Sequence, residues 1–132
     1  MQDKFPVTDL FKFNHVEVSD GLLWMKPEAA GCFAIDLPEG RQNLIWATHA
    51  APAADLLTQK IAGTAWRTKP SWYVVAKDDR VAHPTMQRFC AQRMRATIYE
   101  ADGGHISMLS NPDLVIEVIR EAADAVTASC LR

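Results

Sequence analysis

The sequence predicts an α/β fold with parallel strands, and three observations carry that expectation. Trp72-Tyr73-Val74-Val75-Ala76 is an unbroken aromatic and β-branched run, the pattern of a strand buried on both faces of a parallel sheet. Ala96-Thr97-Ile98-Tyr99-Glu100 is a second such run, and the stretch between them, opened by Pro84 and reaching Met94, has helical spacing with Met86, Phe89, Cys90 and Met94 on one stripe. A strand-helix-strand connection of this length nearly always crosses over right-handedly, so both strands end at the same edge of the sheet.

Taken in order, the chain divides into a hairpin-bearing helical part, residues 1–63, and a β-α-β-α part, residues 64–132, expected to form one unit. Phe11, Phe13, Val16 and Val18 alternate as in a strand, Ser19-Asp20-Gly21 supplies a turn, and Leu22-Leu23-Trp24-Met25 supplies the return strand. Pro27-Glu28 opens a helical segment expected to reach Asp36, and Pro38-Glu39 opens another, with Leu44, Ile45 and Thr48 on one face and Arg41 and Gln42 turned elsewhere. A third helix is expected from Pro52 to Ala62, with Leu56, Leu57 and Ile61 as its stripe and Gly63 as a left-handed cap. Short alanine-rich helices separated by prolines read as a cover over a domain. At the other end Ser110-Asn111-Pro112-Asp113 is a helix start with Asn111 as cap. The helix it opens carries Leu114, Val115, Val118, Ile119, Ala122 and Val126 as an apolar stripe.

Composition narrows the function classes. A hydrophobic fraction of 48% with 23% charged residues is that of a globular domain, and no apolar run has the length of a spanning helix. Met1-Gln-Asp-Lys-Phe-Pro lacks the basic-then-apolar pattern of a secretory signal, so a cytoplasmic location is expected. A net charge of -2, with Lys77, Arg80, Arg88, Arg93 and Arg95 close to Asp78 and Asp79, offers no general attraction to nucleic acid. Cys32, Cys90 and Cys130 form neither a C-x-x-C pair nor a disulfide framework and read as idle thiols.

The chemistry concentrates in the two turns at the shared sheet edge. The loop after the first strand carries Asp79 and the loop after the second carries His105, at the carboxyl edge where open α/β sheets bind ligands. A carboxylate there accepts the imidazole N–H, fixes its tautomer and stabilises the protonated ring, as a general base requires. Gly103-Gly104 permits the sharp turn that delivers His105.

The segments W-R-T-K-P-S-W-Y-V-V-A-K-D-D-R-V-A-H-P and Q-R-F-C-A-Q-R-M-R-A-T-I-Y-E-A-D-G-G-H-I-S-M-L-S-N-P resemble the last two strands of esterase-like α/β hydrolases. There a D-R-x-x-x-P turn after the seventh strand supplies the acid of a catalytic triad, and a G-H or S-H turn after the eighth supplies the base. The resemblance implies Asp79 as triad acid and His105 as triad base. It runs from about Thr64 to Ala123, while Asp20 to Gly63 is similar to the lid inserted after the sixth strand; Trp46, Trp66 and lid aliphatics would line an acyl pocket. The implied fold is therefore a partial α/β-hydrolase fold. No cofactor and no metal are expected.

One departure from the family is large. The family presents its serine in a G-x-S-x-G elbow, and none of Gly21, Gly31, Gly40, Gly63, Gly103 or Gly104 begins one. Cys90 lies mid-helix away from the catalytic edge, Ser107 and Ser110 sit on no strand-to-helix elbow, and Asp79, His83 and His105 match no metal-ligand spacing. His15 and His49 are lone histidines with ordinary packing or surface roles. The strand Trp72 to Ala76 also needs a neighbour on its other side, supplied by the hairpin, a second copy or a complementary chain. The expected function is the acid-base part of an acyl-ester hydrolase, inactive alone; the alternative is a non-catalytic module that self-associates.

Overall fold

In the computed structural model, residues 4–130 are described; Met1 and the thiol of Cys130 lie outside the described residues. The element order is α1 (Asp9–Lys12), β1 (Val16–Ser19), β2 (Leu22–Met25), α2 (Ala30–Phe33), α3 (Glu39–Thr48), β3 (Trp72–Ala76), α4 (Pro84–Met94), β4 (Thr97–Ala101), α5 (Ser107–Ser110) and α6 (Pro112–Cys130). Tight 3-10 turns at Pro27–Ala29, Ala54–Leu57 and Ala65–Arg67 complete it.

β3 and β4 pair in parallel, with Trp72 opposite Thr97 and Ala76 opposite Ala101, as the crossover rule requires. β1 and β2 pair antiparallel around Asp20 and Gly21, both in left-handed backbone conformations at φ 52° and 74°. The two pairs form separate sheets, so the hairpin is not the missing neighbour of β3. Val75 is fully buried, and Ala76, Ala91 and Ala101 close the core between β3, β4 and α4.

The first part departs from expectation in three places. Phe11 lies within α1 and Phe13 just beyond it, exposed by 48% and 57%; their alternation tracks no buried face, and Leu10 is the residue that α1 buries. The helix expected from Pro52 to Ala62 shrinks to Ala54–Leu57 because the backbone around Pro52 is used by the hairpin: Leu23 N–H donates to the Pro52 carbonyl at 2.8 Å and Ala54 N–H to the Gly21 carbonyl at 2.8 Å. Ile61 is accordingly 86% exposed, and Gly63 does not take a left-handed conformation. The segment opened by Pro27 becomes helical only to Phe33, and Gln42, expected to face away, donates to the Ala34 and Leu37 carbonyls and ties α3 to that segment.

Corrections in the second part are local. The most buried positions of α4 are Gln87 and Ala91, with Met86, Phe89, Cys90 and Met94 half-buried around them. Asn111 directly precedes α6, its carbonyl accepting from Val115 N–H at 3.2 Å, and its side-chain amide donates to the Asp102 carbonyl at 2.6 Å, anchoring the turn after β4. In α6, Val118 is buried, but Ile119 and Val126 of the expected stripe face solvent.

Candidate functional site

Register alone brings the two loops together. From the pair Ala76 and Ala101 the ladder continues, Lys77 N–H donating to the Ala101 carbonyl and Asp78 N–H to the Gly103 carbonyl, each at 3.0 Å. Asp79 and His105 follow directly, and His105 Nδ1 lies 2.8 Å from Asp79 Oδ2.

Asp79 is 6% exposed and every carboxylate lone pair within reach has a donor. Oδ1 accepts from the Val81 and Ala82 N–H groups at 2.7 and 2.9 Å, an Asx-type turn in which the side chain organises its own loop. Oδ2 accepts from Gln87 Nε2 at 2.6 Å as well as from His105. Burial pushes the Asp79 carboxyl up, but the hydrogen bond with His105, the Ala82 and Val81 N–H groups and the His105 charge outweigh it. The net result is a carboxyl held below the usual carboxylate range.

The His105 side chain is 38% exposed, so its far edge is open while Nδ1 is occupied. With Asp79 ionised, Nδ1 carries the proton and Nε2 is the free basic nitrogen. The loop that presents it is fixed from the first half of the chain. Asp36 Oδ1 accepts from Gly104 N–H at 3.2 Å, the Phe33 carbonyl accepts from Ile106 N–H at 3.2 Å, and the Phe33 ring lies against the imidazole. Gly103 has φ 103°, and a Cβ there would run into the Asp36 carboxylate; only glycine satisfies both conditions. A cavity of about 270 Å³ opens beside the pair, lined by Tyr73, Val74, Gln87, Ser107, Asp79 and His105 among others.

The other candidates lie elsewhere. Trp46 Nε1 donates to the Met25 carbonyl at 3.2 Å, and Trp66 lines a separate cavity with Lys69, Arg93 and Arg95, the guanidinium groups of Arg67 and Arg93 lying over its ring. Neither lines the cavity beside His105. His83 caps α4, its Nδ1 accepting from Thr85 N–H at 3.2 Å, and among the described residues no group of three metal-ligating side chains forms. Ser107 is buried and its hydroxyl donates to the Gly104 carbonyl at 3.2 Å. Burial, with the charge of Asp9, pushes the Cys32 thiol up despite Arg80, which makes it a poor nucleophile. Gln87, Asp36 and Phe33 escaped the sequence reading; Gln87 lies one turn before Ala91 and shares its inward face, off the expected apolar stripe.

A buried carboxylate hydrogen-bonded to a histidine at the carboxyl edge of a parallel crossover belongs to a known architecture. Residues 5–118 match the model of the alpha/beta hydrolase family, and the chain belongs to that family. A curated relative, alpha/beta hydrolase nvfD of Aspergillus novofumigatus (strain IBT 16806), is 33% identical over 82 residues, covering 59% of this chain and 33% of the relative. The chain therefore spans about a third of that relative's length. No solved structure matches the chain significantly. No described helix is long and apolar enough to cross a membrane.

Proposed function

We propose that this chain is the acid-base part of an esterase-type α/β hydrolase, in which His105 is the general base and Asp79 orients it. The observation that carries the reading is the buried, four-donor Asp79 carboxylate with Oδ2 at 2.8 Å from His105 Nδ1. In the reaction, His105 Nε2 takes the proton of a serine hydroxyl as it attacks the ester carbonyl, and then gives that proton to the departing alcohol. Asp79 stays ionised and stabilises the imidazolium in between. The serine and the oxyanion-hole N–H groups come from a G-x-S-x-G strand-turn-helix, which these 132 residues do not contain.

The residues expected as acyl-pocket walls, Trp46 and Trp66, gain no support from the cavity that His105 lines. A better place for an acyl chain is the apolar cavity of about 410 Å³ under α3, lined by Leu10, Met25, Ile45, Pro52 and Phe33, the residue that touches His105. Segment 1–63 then serves as the lid of this same unit.

The test uses an activated ester such as p-nitrophenyl acetate. The chain alone is expected to give no turnover. Mixed with an α/β-hydrolase fragment that carries a G-x-S-x-G elbow and stops before its seventh strand, it is expected to restore hydrolysis that Asp79→Asn and His105→Ala each abolish. Robust hydrolysis by the chain alone that survives His105→Ala overturns the proposal.

A second reading, a non-catalytic module that self-associates, is motivated by the edge of β3, which among the described residues pairs only with β4, and by the exposure of Ile116, Ile119 and Val126 on α6. Mass in solution separates the two: a monodisperse, folded monomer rejects the second reading.

A further inference from the structure

Gln87 is 4% exposed in the first turn of α4, where a leucine or methionine of similar length would serve packing alone. Its carboxamide is instead engaged on both sides. Oε1 accepts from Ala76 N–H at 3.1 Å, and Nε2 donates to Asp79 Oδ2 at 2.6 Å and to the Ala82 carbonyl at 2.7 Å. The backbone N–H of Ala76 can only donate, so Oε1 must face it, and the amide orientation follows from the network with no freedom to flip. Both Nε2 hydrogens are then committed, one to the acid and one to the loop that carries it. A buried amide is costly to place unless its groups are met, and here one side chain joins the last residue of β3, the acid loop and α4.

The Val81 and Ala82 N–H groups hold only Oδ1 of Asp79, so besides His105 itself the side chain that holds Oδ2 is Gln87. We propose that Gln87 is a positioning residue: it fixes Asp79 Oδ2 opposite His105 Nδ1 and thereby selects the imidazole tautomer whose Nε2 is unprotonated. The inference rests on the acid-base reading given above and adds to it the group that aims the acid. Gln87 also stabilises the ionised form of the carboxyl, because its donor is usable by a carboxylate and less so by a protonated acid.

The test is nuclear magnetic resonance on the full chain, which needs no nucleophile. In the parent, neutral His105 is expected to populate chiefly the Nδ1–H tautomer, read from its ring nitrogen shifts. In Gln87→Met the balance moves toward the Nε2–H tautomer, and the Asp79 carboxyl becomes about tenfold weaker as an acid, read from its carboxyl carbon on titration. A folded Gln87→Met chain with the parental tautomer balance and the parental Asp79 titration overturns the inference. Should that variant not fold, the parent decides: its Gln87 side-chain amide protons must exchange slowly with solvent and shift as Asp79 is protonated, and fast exchange or no shift overturns it. Asp79→Asn separates the two levels. If Asp79→Asn leaves the tautomer unchanged, the acid-base pairing itself fails; if Asp79→Asn changes it and Gln87→Met does not, only the role of Gln87 fails.

Discussion

Phe33 meets the His105 imidazole edge to face, with ring centroids 5.4 Å apart and planes at 81°. The contact joins α2 in the first part of the chain to the loop after β4, and it is reinforced by the Phe33 carbonyl accepting from Ile106 N–H. The imidazole is therefore held on one side by a carboxylate and on another by an aromatic ring from a helix in the first part of the chain. Replacing Phe33 with alanine is expected to lower stability by about 3 kcal/mol and to remove the ring-current shift of the His105 protons. Urea denaturation and a proton spectrum check the two effects, and an unchanged His105 spectrum would refute the contact.

Gly103 carries a second prediction. Gly103→Ala forces a Cβ both onto a left-handed backbone and into the Asp36 carboxylate, and is expected to cost about 1 to 3 kcal/mol. The same change in an Asp36→Ala background is expected to cost less, since the collision is removed and only the backbone strain remains. Equal costs in the two backgrounds, measured by urea denaturation, would mean that the collision contributes nothing.

The pH dependence of stability follows from Asp79. Its folded-state pKa lies below the unfolded value, so its contribution is complete above the ordinary carboxylate range and is lost as pH falls through the folded value. Asp79→Asn is expected to cost about 1 to 3 kcal/mol near neutral pH. The gap between parent and variant should narrow on acidification, and a gap independent of pH would contradict the assignment of an ionised, stabilising Asp79.

Val75 sits fully buried in β3, one residue before its end. Val75→Ala is expected to cost about 2 kcal/mol by loss of apolar burial and creation of a cavity, with the Asp79–His105 pairing retained. Loss of that pairing in a folded Val75→Ala chain would show that the site depends on core packing as well as on loop chemistry.

The second half of the fold was legible because its signals are local. The β-branched run of β3, the proline opening α4 and the spacing of β4 specify a parallel crossover, and the crossover alone brings Asp79 to His105. The first half was less legible because its backbone hydrogen bonds go to distant partners. Pro52 and Ala54 read as helix by composition but are claimed by Leu23 and Gly21 of the hairpin. Phe11 and Phe13 alternate without burying, which mimics a strand. The supporting residues of the site were hidden for a related reason: Asp36 meets Gly104 across 68 positions, a contact that no periodicity encodes. Gln87 was hidden by its polarity: the expected stripe ran through Met86, Phe89, Cys90 and Met94, whereas α4 buries Gln87 and Ala91.

The hydrogen-bonded carboxylate and imidazole occupy a single continuous crossover, with Asp79 and His105 separated by only 26 positions and joined through one parallel pair of strands. Such an arrangement makes the pair portable. Any rearrangement that keeps residues 72–105 contiguous carries both side chains together with the register that aligns them.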